Sequence, residues 1–266
     1  MSKKALLLSG FLSENDIKNV QDNVTGDYMD LEALKSILAP KSENPVSLSY
    51  TPGKPQIDFI DKKYATILND YNLKYKNASY FPQVEWSYKS VEICPLLCDA
   101  VFLDLDKINY FQGMFSDNNY ENFLHICLDV QEPKVNLKID NKGLTFSSDN
   151  PDIIGLGINQ NLQIVPQITP TPVIVAQIYD RYILFNGKHR AVALCKAGYD
   201  KIPAVVFNST NPYIMQPGYR FHHSTLLKES PPTIGHYMNE NFISEVLLIN
   251  NLNVYRIIID KSTIQI

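Results

Sequence analysis

Hydrophobic and polar positions follow strand-like and helix-like spacings most clearly over residues 172–207. Residues 173–178 form a run of mostly β-branched side chains, which is typical of a buried strand. Residues 179–181 then predict a tight turn, and residues 182–185 predict a returning strand. This part of the chain is therefore expected to form a β-hairpin.

A helix and a further strand are predicted immediately after this hairpin. Residues 188–197 have the spacing of a helix with one apolar face, and Gly198 is a favourable left-handed stop. Residues 202–207 are again mostly apolar and predict a strand. Because a helix buries its apolar face on a neighbouring layer, the order hairpin, helix, strand predicts a compact α+β unit.

Weaker patterns predict further elements on both sides of this unit. Helices are expected at residues 31–38, 61–71, 120–128 and near 236–242, strands at 84–93 and 254–259, and a hairpin over 135–146. Residues 102–106 alternate as one extended strand, which would place Asp104 and Asp106 on the same face. Such paired carboxylates would either face solvent or hold Mg²⁺ near phosphates.

Composition and charge narrow the classes of function. The chain has 266 residues, of which 45% are hydrophobic, and this suffices for one large domain or two small ones. The net charge of −4 argues against non-specific coating of DNA, because that function requires a strongly basic face. No apolar stretch approaches the ~20 residues of a membrane-spanning helix, so no membrane partner is expected.

Cysteine usage predicts a reducing compartment. Cys94, Cys98, Cys127 and Cys195 match no zinc-binding spacing and are expected to be free thiols. The apolar run at residues 5–12 is short and is followed by acidic and polar residues instead of a signal-peptide cleavage site. We therefore expect a cytoplasmic protein.

A glycine followed by three basic residues is the strongest candidate for chemistry. A strand ends at Asn186, Gly187 lets the backbone turn, and a helix begins with Lys188, His189 and Arg190. The first N–H groups of a helix lack partners within it and the dipole adds positive charge, so cations there are unfavourable without a counter-anion. A bound phosphate or a nearby carboxylate would offset that charge. The alternative is a solvated basic turn.

A second polar cluster lies further along the chain. Arg220, His222, His223 and Ser224 would supply phosphate contacts or a general base to the same site, or would form a surface loop. His125, in an apolar helical stretch, is expected to be a hydrogen-bonded, partly buried histidine.

Several of these segments occur in an order that resembles the ParB/sulfiredoxin superfamily. The matching runs are Pro172-Val173-Ile174-Val175, Tyr182-Ile183-Leu184, Gly187-Lys188-His189-Arg190-Ala191, Ala197-Gly198 and Ile202-Pro203-Ala204-Val205. Sulfiredoxins carry Phe-Gly-Gly-Cys-His-Arg where this chain has Phe185 to Arg190, a difference at two positions. ParB domains carry Gly-Glu-Arg-Arg there, and proteins with an Asp-Gly-Gln-His-Arg motif are similar too.

The resemblance implies a mixed sheet with packed helices over residues 81–210, flanked by an N-terminal extension at 1–80 and a C-terminal extension at 211–266. It also implies that a nucleoside triphosphate, ATP or CTP, binds at this segment with Mg²⁺ as a candidate companion ion. Together with the second polar cluster, this gives as candidate nucleotide-binding residues Asn186, Gly187, Lys188, His189, Arg190, His222 and His223. The candidate catalytic residues are Lys188, His189 and Arg190.

This chain also departs from the family pattern. Lys188 stands where sulfiredoxins carry their nucleophilic cysteine and ParB domains a glutamate, so sulfinic acid repair is not expected. No Glu-Asn-x-x-Arg box and no DNA-reading helix-turn-helix is recognised after Phe207. Three hypotheses therefore stay open: a nucleotide hydrolase or nuclease, a non-catalytic module that senses nucleotide or DNA, and a structural protein with an inactive site. Nucleotide is the expected partner, with DNA and a second copy of the chain as further candidates.

Overall fold

The computed structural model describes residues 2–12, 16, 53–77, 85–129, 136–140, 143–147, 153–158, 164–168, 172–209, 220–221, 223–249 and 254–257. Contacts divide the chain into two units. The first consists of Met1–Asp129 and Pro172–Asn250, and the second of Val130–Thr171 and Asn251–Ile266. The predicted helix at residues 31–38 lies outside the described residues.

Thirteen strands are found in the described part of the chain. In chain order they are β1 (Ser2–Leu7), β2 (Ile57–Phe59), β3 (Trp86–Glu92), β4 (Phe102–Asp104), β5 (Asn136–Asp140), β6 (Gly143–Ser147), β7 (Ile153–Ile158), β8 (Ile164–Ile168), β9 (Ile174–Ile178), β10 (Arg181–Asn186), β11 (Lys201–Ser209), β12 (Ser244–Ile249) and β13 (Val254–Ile257). The helices are α1 (Ala65–Asn77), α2 (Leu105–Met114), α3 (Tyr120–Leu128), α4 (Lys188–Lys196) and α5 (His223–Leu226), with 3₁₀ turns at Ser9–Phe11, Lys62–Tyr64 and Ile234–Met238. The predicted α+β class is confirmed.

A five-stranded sheet in the order β10-β9-β11-β3-β2 forms the centre of the first unit. The predicted hairpin is confirmed as β9 and β10, and α4 then crosses to β11, which runs parallel to β9. The remaining pairs are antiparallel, so the sheet is mixed. The residues that pack together on it are Leu97, Ile174, Ala176, Ile178, Ile183 and Phe207, with Trp86 and Phe185 at the margin.

The first residues of the chain belong to a second sheet of the same unit. This sheet has the order β12-β1-β4, so β1 is its central strand, and residues 5–8 are buried. A strand of the predicted N-terminal extension, residues 1–80, thus pairs with strands that lie outside that extension. A short apolar run gives no local sign of its partners, which come here from the sequence-distant strands β4 and β12.

The prediction of one extended strand over residues 102–106 is wrong. Strand β4 ends at Asp104, and its carboxylate accepts hydrogen bonds from the N–H groups of Asp106 (2.9 Å) and Lys107 (3.2 Å). Asp104 is thus the N-cap of α2, and Asp106 lies in the first turn of that helix. Within the described residues, no group of three or more His, Cys, Asp or Glu side chains is placed to hold a metal ion.

Helix α3 has the bounds that the sequence predicts, and α1 packs beside it. The Tyr71 hydroxyl lies 2.6 Å from Nδ1 of His125, and the Tyr75 hydroxyl donates to the carbonyl of Leu128. His125 is therefore hydrogen-bonded as predicted, although the residue is exposed instead of partly buried. None of the described helices has both the length and the apolar character needed to cross a membrane.

The described residues of the second unit are all in strands. Strands β5 and β6 form the hairpin predicted over residues 135–146, and β13 adds to β6 in a three-stranded sheet. Strands β7 and β8 form a separate antiparallel pair. Along the chain, the segment 130–171 of this unit falls within the range 81–210 that the sequence predicts as one domain.

Candidate functional site

The turn between β10 and α4 is built around Gly187. Its φ is +94°, in the left-handed region that favours glycine, and the residue is buried. A Cβ at this position would lie 2.7 Å from Cγ2 of Val173, which is closer than two carbon atoms tolerate. Asn186, the residue before this glycine, is held in place because its side-chain amide donates a hydrogen bond to the carbonyl of Pro172 (2.9 Å). The backbone turn therefore requires a glycine on two independent grounds.

Lys188 points to a buried carboxylate. Its Nζ lies 2.7 Å from Oδ1 of Asp99 and donates to the carbonyl of Phe185 at 2.7 Å. The side chain of Asp99 is 0% exposed and that of Lys188 is 11% exposed. The counter-charge that the sequence requires at the start of this helix is thus supplied, at least in part, by the protein itself.

Arg220 contacts the other oxygen of the same carboxylate. Its guanidinium forms an ion pair with Oδ2 of Asp99 and lies over the ring of Phe185, 5.8 Å from the ring centre. We call Asp99, Lys188 and Arg220 the Asp99 cluster. Two cations and one carboxylate leave the cluster with a net charge of about +1, and the side chain of Arg220 is 23% exposed.

His189 and Arg190 point to other partners. Nε2 of His189 accepts the N–H of Asp104 (3.1 Å), and burial, followed by nearby Lys107 and two further cations, lowers the pKa of His189 to about 3. Arg190 is buried and donates to the carbonyls of Ile126 (3.0 Å) and Cys127 (3.4 Å). His189 is therefore a neutral acceptor, and Arg190 satisfies carbonyl groups in the last turn of α3.

The geometry of an α-helix explains this divergence. Successive residues are rotated by about 100° around the axis, so three consecutive side chains leave the helix in three different directions. Only Lys188 joins the Asp99 cluster, and its companion is Arg220 instead of His189 or Arg190. His222 lies outside the described residues, and His223 is described only as the first residue of α5.

Asp99 was missed by the sequence analysis, although a signal was available. It is the single charged residue between Ile93 and Leu103, in a stretch that is otherwise apolar apart from two cysteines. A lone carboxylate in such a stretch is expected to be buried and paired. Arg220 was noted only as a member of the second polar cluster, and nothing local in the sequence connects it with Asp99, which lies 121 positions away.

Arg181 has a structural role that the turn prediction did not include. Its guanidinium donates to the carbonyls of Leu226 (2.5 Å), Lys228 (3.0 Å) and Leu227 (3.3 Å), which closes the end of α5. A cavity of about 270 Å³ beside it is lined by Lys54, Asp180, Tyr182, Glu229 and Pro231, among others. None of the residues of the Asp99 cluster lines this cavity.

Comparisons with protein-family models, with curated proteins and with solved structures gave no significant match.

Acidification is expected to destabilise the first unit through His236. This residue is buried, its Nδ1 accepts the N–H of Thr233 (3.0 Å), and burial lowers its pKa to about 4. Because the unfolded state binds a proton at about pH 6.5 and the folded state does not, stability is full above that pH and falls as the pH drops towards 4. At pH ~4.5 the loss of stability through His236 should reach about 2.5 kcal/mol. Urea unfolding at a series of pH values between 7 and ~4 measures it.

The variant His236→Gln is the control for this titration. Its amide oxygen can accept the same N–H group without taking up a proton, so the decline in stability between pH 6.5 and 4 becomes shallower. His189→Gln tests the second buried histidine, whose lowered pKa acts in the same direction. An unchanged pH profile in both variants contradicts the prediction.

Proposed function

We propose that this chain is a phosphate-binding module of the ParB/sulfiredoxin type, which acts in the cytoplasm and binds a nucleotide at the start of α4. The observation that supports the proposal is the pairing of Lys188 and Arg220 on one buried carboxylate. This cluster contains two cations and one carboxylate and lies beside a helix N-terminus, where backbone N–H groups and the helix dipole also favour an anion.

Asp99 has a positioning role in this proposal. It holds two cations in fixed places at the start of α4, so less side-chain entropy is lost when a phosphate approaches. Arg220 is the more exposed of the two cations, and its planar guanidinium suits bidentate contact with phosphate oxygens. Lys188 acts beside it as a point charge.

Binding without turnover is the alternative that the geometry favours. A hydrolase or nuclease requires a general base or several groups that converge on the reacting phosphate. Nε2 of His189 already accepts a backbone hydrogen bond, and Arg190 is buried against α3. The catalytic roles predicted for these two residues are therefore not part of the proposal. ATP and CTP, each with and without Mg²⁺, are the first ligands to test.

Thermal shift and titration calorimetry with ATP, CTP and inorganic phosphate test this function. We expect a nucleotide to raise the Tm of the full chain, and we expect Arg220→Gln to weaken its affinity about tenfold, corresponding to about 1.4 kcal/mol for a lost charged contact. Short duplex DNA in a salt series distinguishes a DNA phosphate from a free nucleotide as the ligand.

A matched control separates binding from stability. Like Arg220→Gln, Lys201→Met removes the cation of an ion pair in the same unit, since Nζ of Lys201 lies 2.6 Å from Asp58. Lys201 does not belong to the Asp99 cluster. Its nucleotide affinity should equal that of the unmodified chain. Equal affinities of Arg220→Gln and Lys201→Met would exclude the Asp99 cluster as the site. Release of phosphate from ATP or CTP that His189→Gln abolishes would restore the enzymatic hypothesis.

A further inference from the structure

Two cysteines far apart in the sequence lie side by side at the other end of α4. Cys94 is in the turn after β3, and Cys195 is in the last turn of α4, with 3.8 Å between their Sγ atoms. Cys94 is exposed and Cys195 is partly exposed, whereas Cys98 and Cys127 are buried. All four cysteines are free thiols, as the sequence predicts.

We propose that Cys94 and Cys195 form a redox-modification site, at which a hydroperoxide converts the two thiols reversibly into an intramolecular disulfide. The proposal is independent of phosphate binding at the Asp99 cluster. It assigns a chemical role to a pair of residues that the sequence analysis treated only as unconnected thiols.

The geometry makes this bond accessible without a rearrangement of the fold. A disulfide joins its sulfur atoms at about 2.05 Å, so the two Sγ atoms approach each other by less than ~2 Å. Cys94 is held in place, because its carbonyl accepts the N–H of Gly235 (3.1 Å). A Cβ at Gly235 would lie 3.3 Å from Cβ of Cys94, so glycine keeps this approach open. Side-chain rotation at the two cysteines can therefore bring the sulfur atoms together.

The surroundings of the pair favour ionisation of Cys94. The hydrogen bond between the two thiols lowers the pKa of Cys94 to about 7, although desolvation, Glu92 and Asp200 act in the opposite direction. The same contact and burial raise the pKa of Cys195. A thiolate is the reactive form of cysteine, so an exposed Cys94 is the first residue to react with an oxidant.

The reaction balances as two displacements. The Cys94 thiolate attacks one peroxide oxygen, so an S–O bond forms, the O–O bond breaks, and the leaving hydroxide takes a proton to become water. The sulfur of Cys195 then attacks the sulfenic sulfur of Cys94, so the S–S bond forms and the S–O bond breaks. The proton of Cys195 leaves with the second hydroxide as water. Two thiols and one molecule of hydrogen peroxide give one disulfide and two waters, and an alkyl hydroperoxide gives an alcohol in place of the first water.

Cys98 and Cys127 serve as internal controls. Both are buried, and burial raises the pKa of each thiol to about 12, which suppresses the thiolate at neutral pH. Neither cysteine should react with hydrogen peroxide or with an alkylating reagent while the chain is folded. The proposal thus predicts selective modification of two cysteines out of four.

Treatment of the full chain with hydrogen peroxide tests the proposal. After alkylation and proteolysis, mass spectrometry should find a peptide pair linked through Cys94 and Cys195, which dithiothreitol separates. The oxidised chain should also unfold at a higher temperature, since the link constrains two residues that lie 101 positions apart. Cys94→Ser and Cys195→Ser should each abolish both effects.

Two results would overturn the proposal. One is oxidation of Cys94 to a sulfinic acid or a mixed disulfide, in the chain that carries no substitution, without any linked Cys94–Cys195 peptide. The other is a disulfide between two chains, visible as a dimer in non-reducing electrophoresis, in place of the intramolecular bond. Because the linked peptide is sought in the chain that carries no substitution, the conclusion does not depend on the folding of either serine variant.

Discussion

Asp99→Asn is expected to lower the free energy of unfolding by about 3–5 kcal/mol, because removal of one partner leaves a buried charge uncompensated. Asp99 is completely buried and contacts both Lys188 and Arg220, neither of which is more than 23% exposed. Asn has nearly the same shape as Asp, so the loss reports the missing charge instead of a cavity. Urea unfolding of the two proteins at neutral pH measures the difference.

Two further variants interpret this loss. Asp58→Asn removes the carboxylate of the Lys201 ion pair, whose side chains are 43% and 27% exposed, and should have a much smaller effect because solvent screens it. Asp99→Asn combined with Lys188→Met also removes one of the two cations that contact this carboxylate and should recover part of the stability. If the Asp58 and Asp99 variants lose equal stability, burial does not govern the Asp99 cluster.

Gly187→Ala is expected to lower the free energy of unfolding by about 2–4 kcal/mol, which combines left-handed strain with overpacking. A Cβ would meet Cγ2 of Val173 at 2.7 Å, and φ is +94° at this position. Val173 cannot move easily, since it is buried and its N–H donates to the carbonyl of Cys127 (2.6 Å). Chemical denaturation monitored by circular dichroism is the measurement.

Gly198→Ala separates the two causes. Its φ is +89°, but a Cβ there would meet no atom within 4 Å, so only the left-handed strain of about 1 kcal/mol applies. Val173→Ala in the Gly187→Ala background should relieve part of the overpacking. Losses of equal size at the two glycines would show that the contact with Val173 carries no energy.

Local sequence determined the backbone around the candidate site. Alternating and β-branched positions define β9, β10 and β11, and Gly198 ends α4 with the predicted left-handed conformation. The sequence also predicts a glycine-dependent turn at residue 187, because a strand and a helix follow each other there without a linker. The prediction failed where an alternating pattern overlapped a helix-capping residue. The alternation at residues 102–106 predicted a strand, but the side chain of Asp104 accepts hydrogen bonds that start α2.

The partners of the charged side chains were decided by tertiary structure alone. Lys188, His189 and Arg190 are adjacent in sequence, yet the rotation of the helix sends them to a carboxylate, a backbone N–H group and the end of another helix. The same holds for β1, whose central place depends on strands supplied by distant segments. Periodicity and turn chemistry act over a few neighbouring residues and can therefore be recognised in a short stretch of sequence. A buried ion pair exists only after folding has brought its members together.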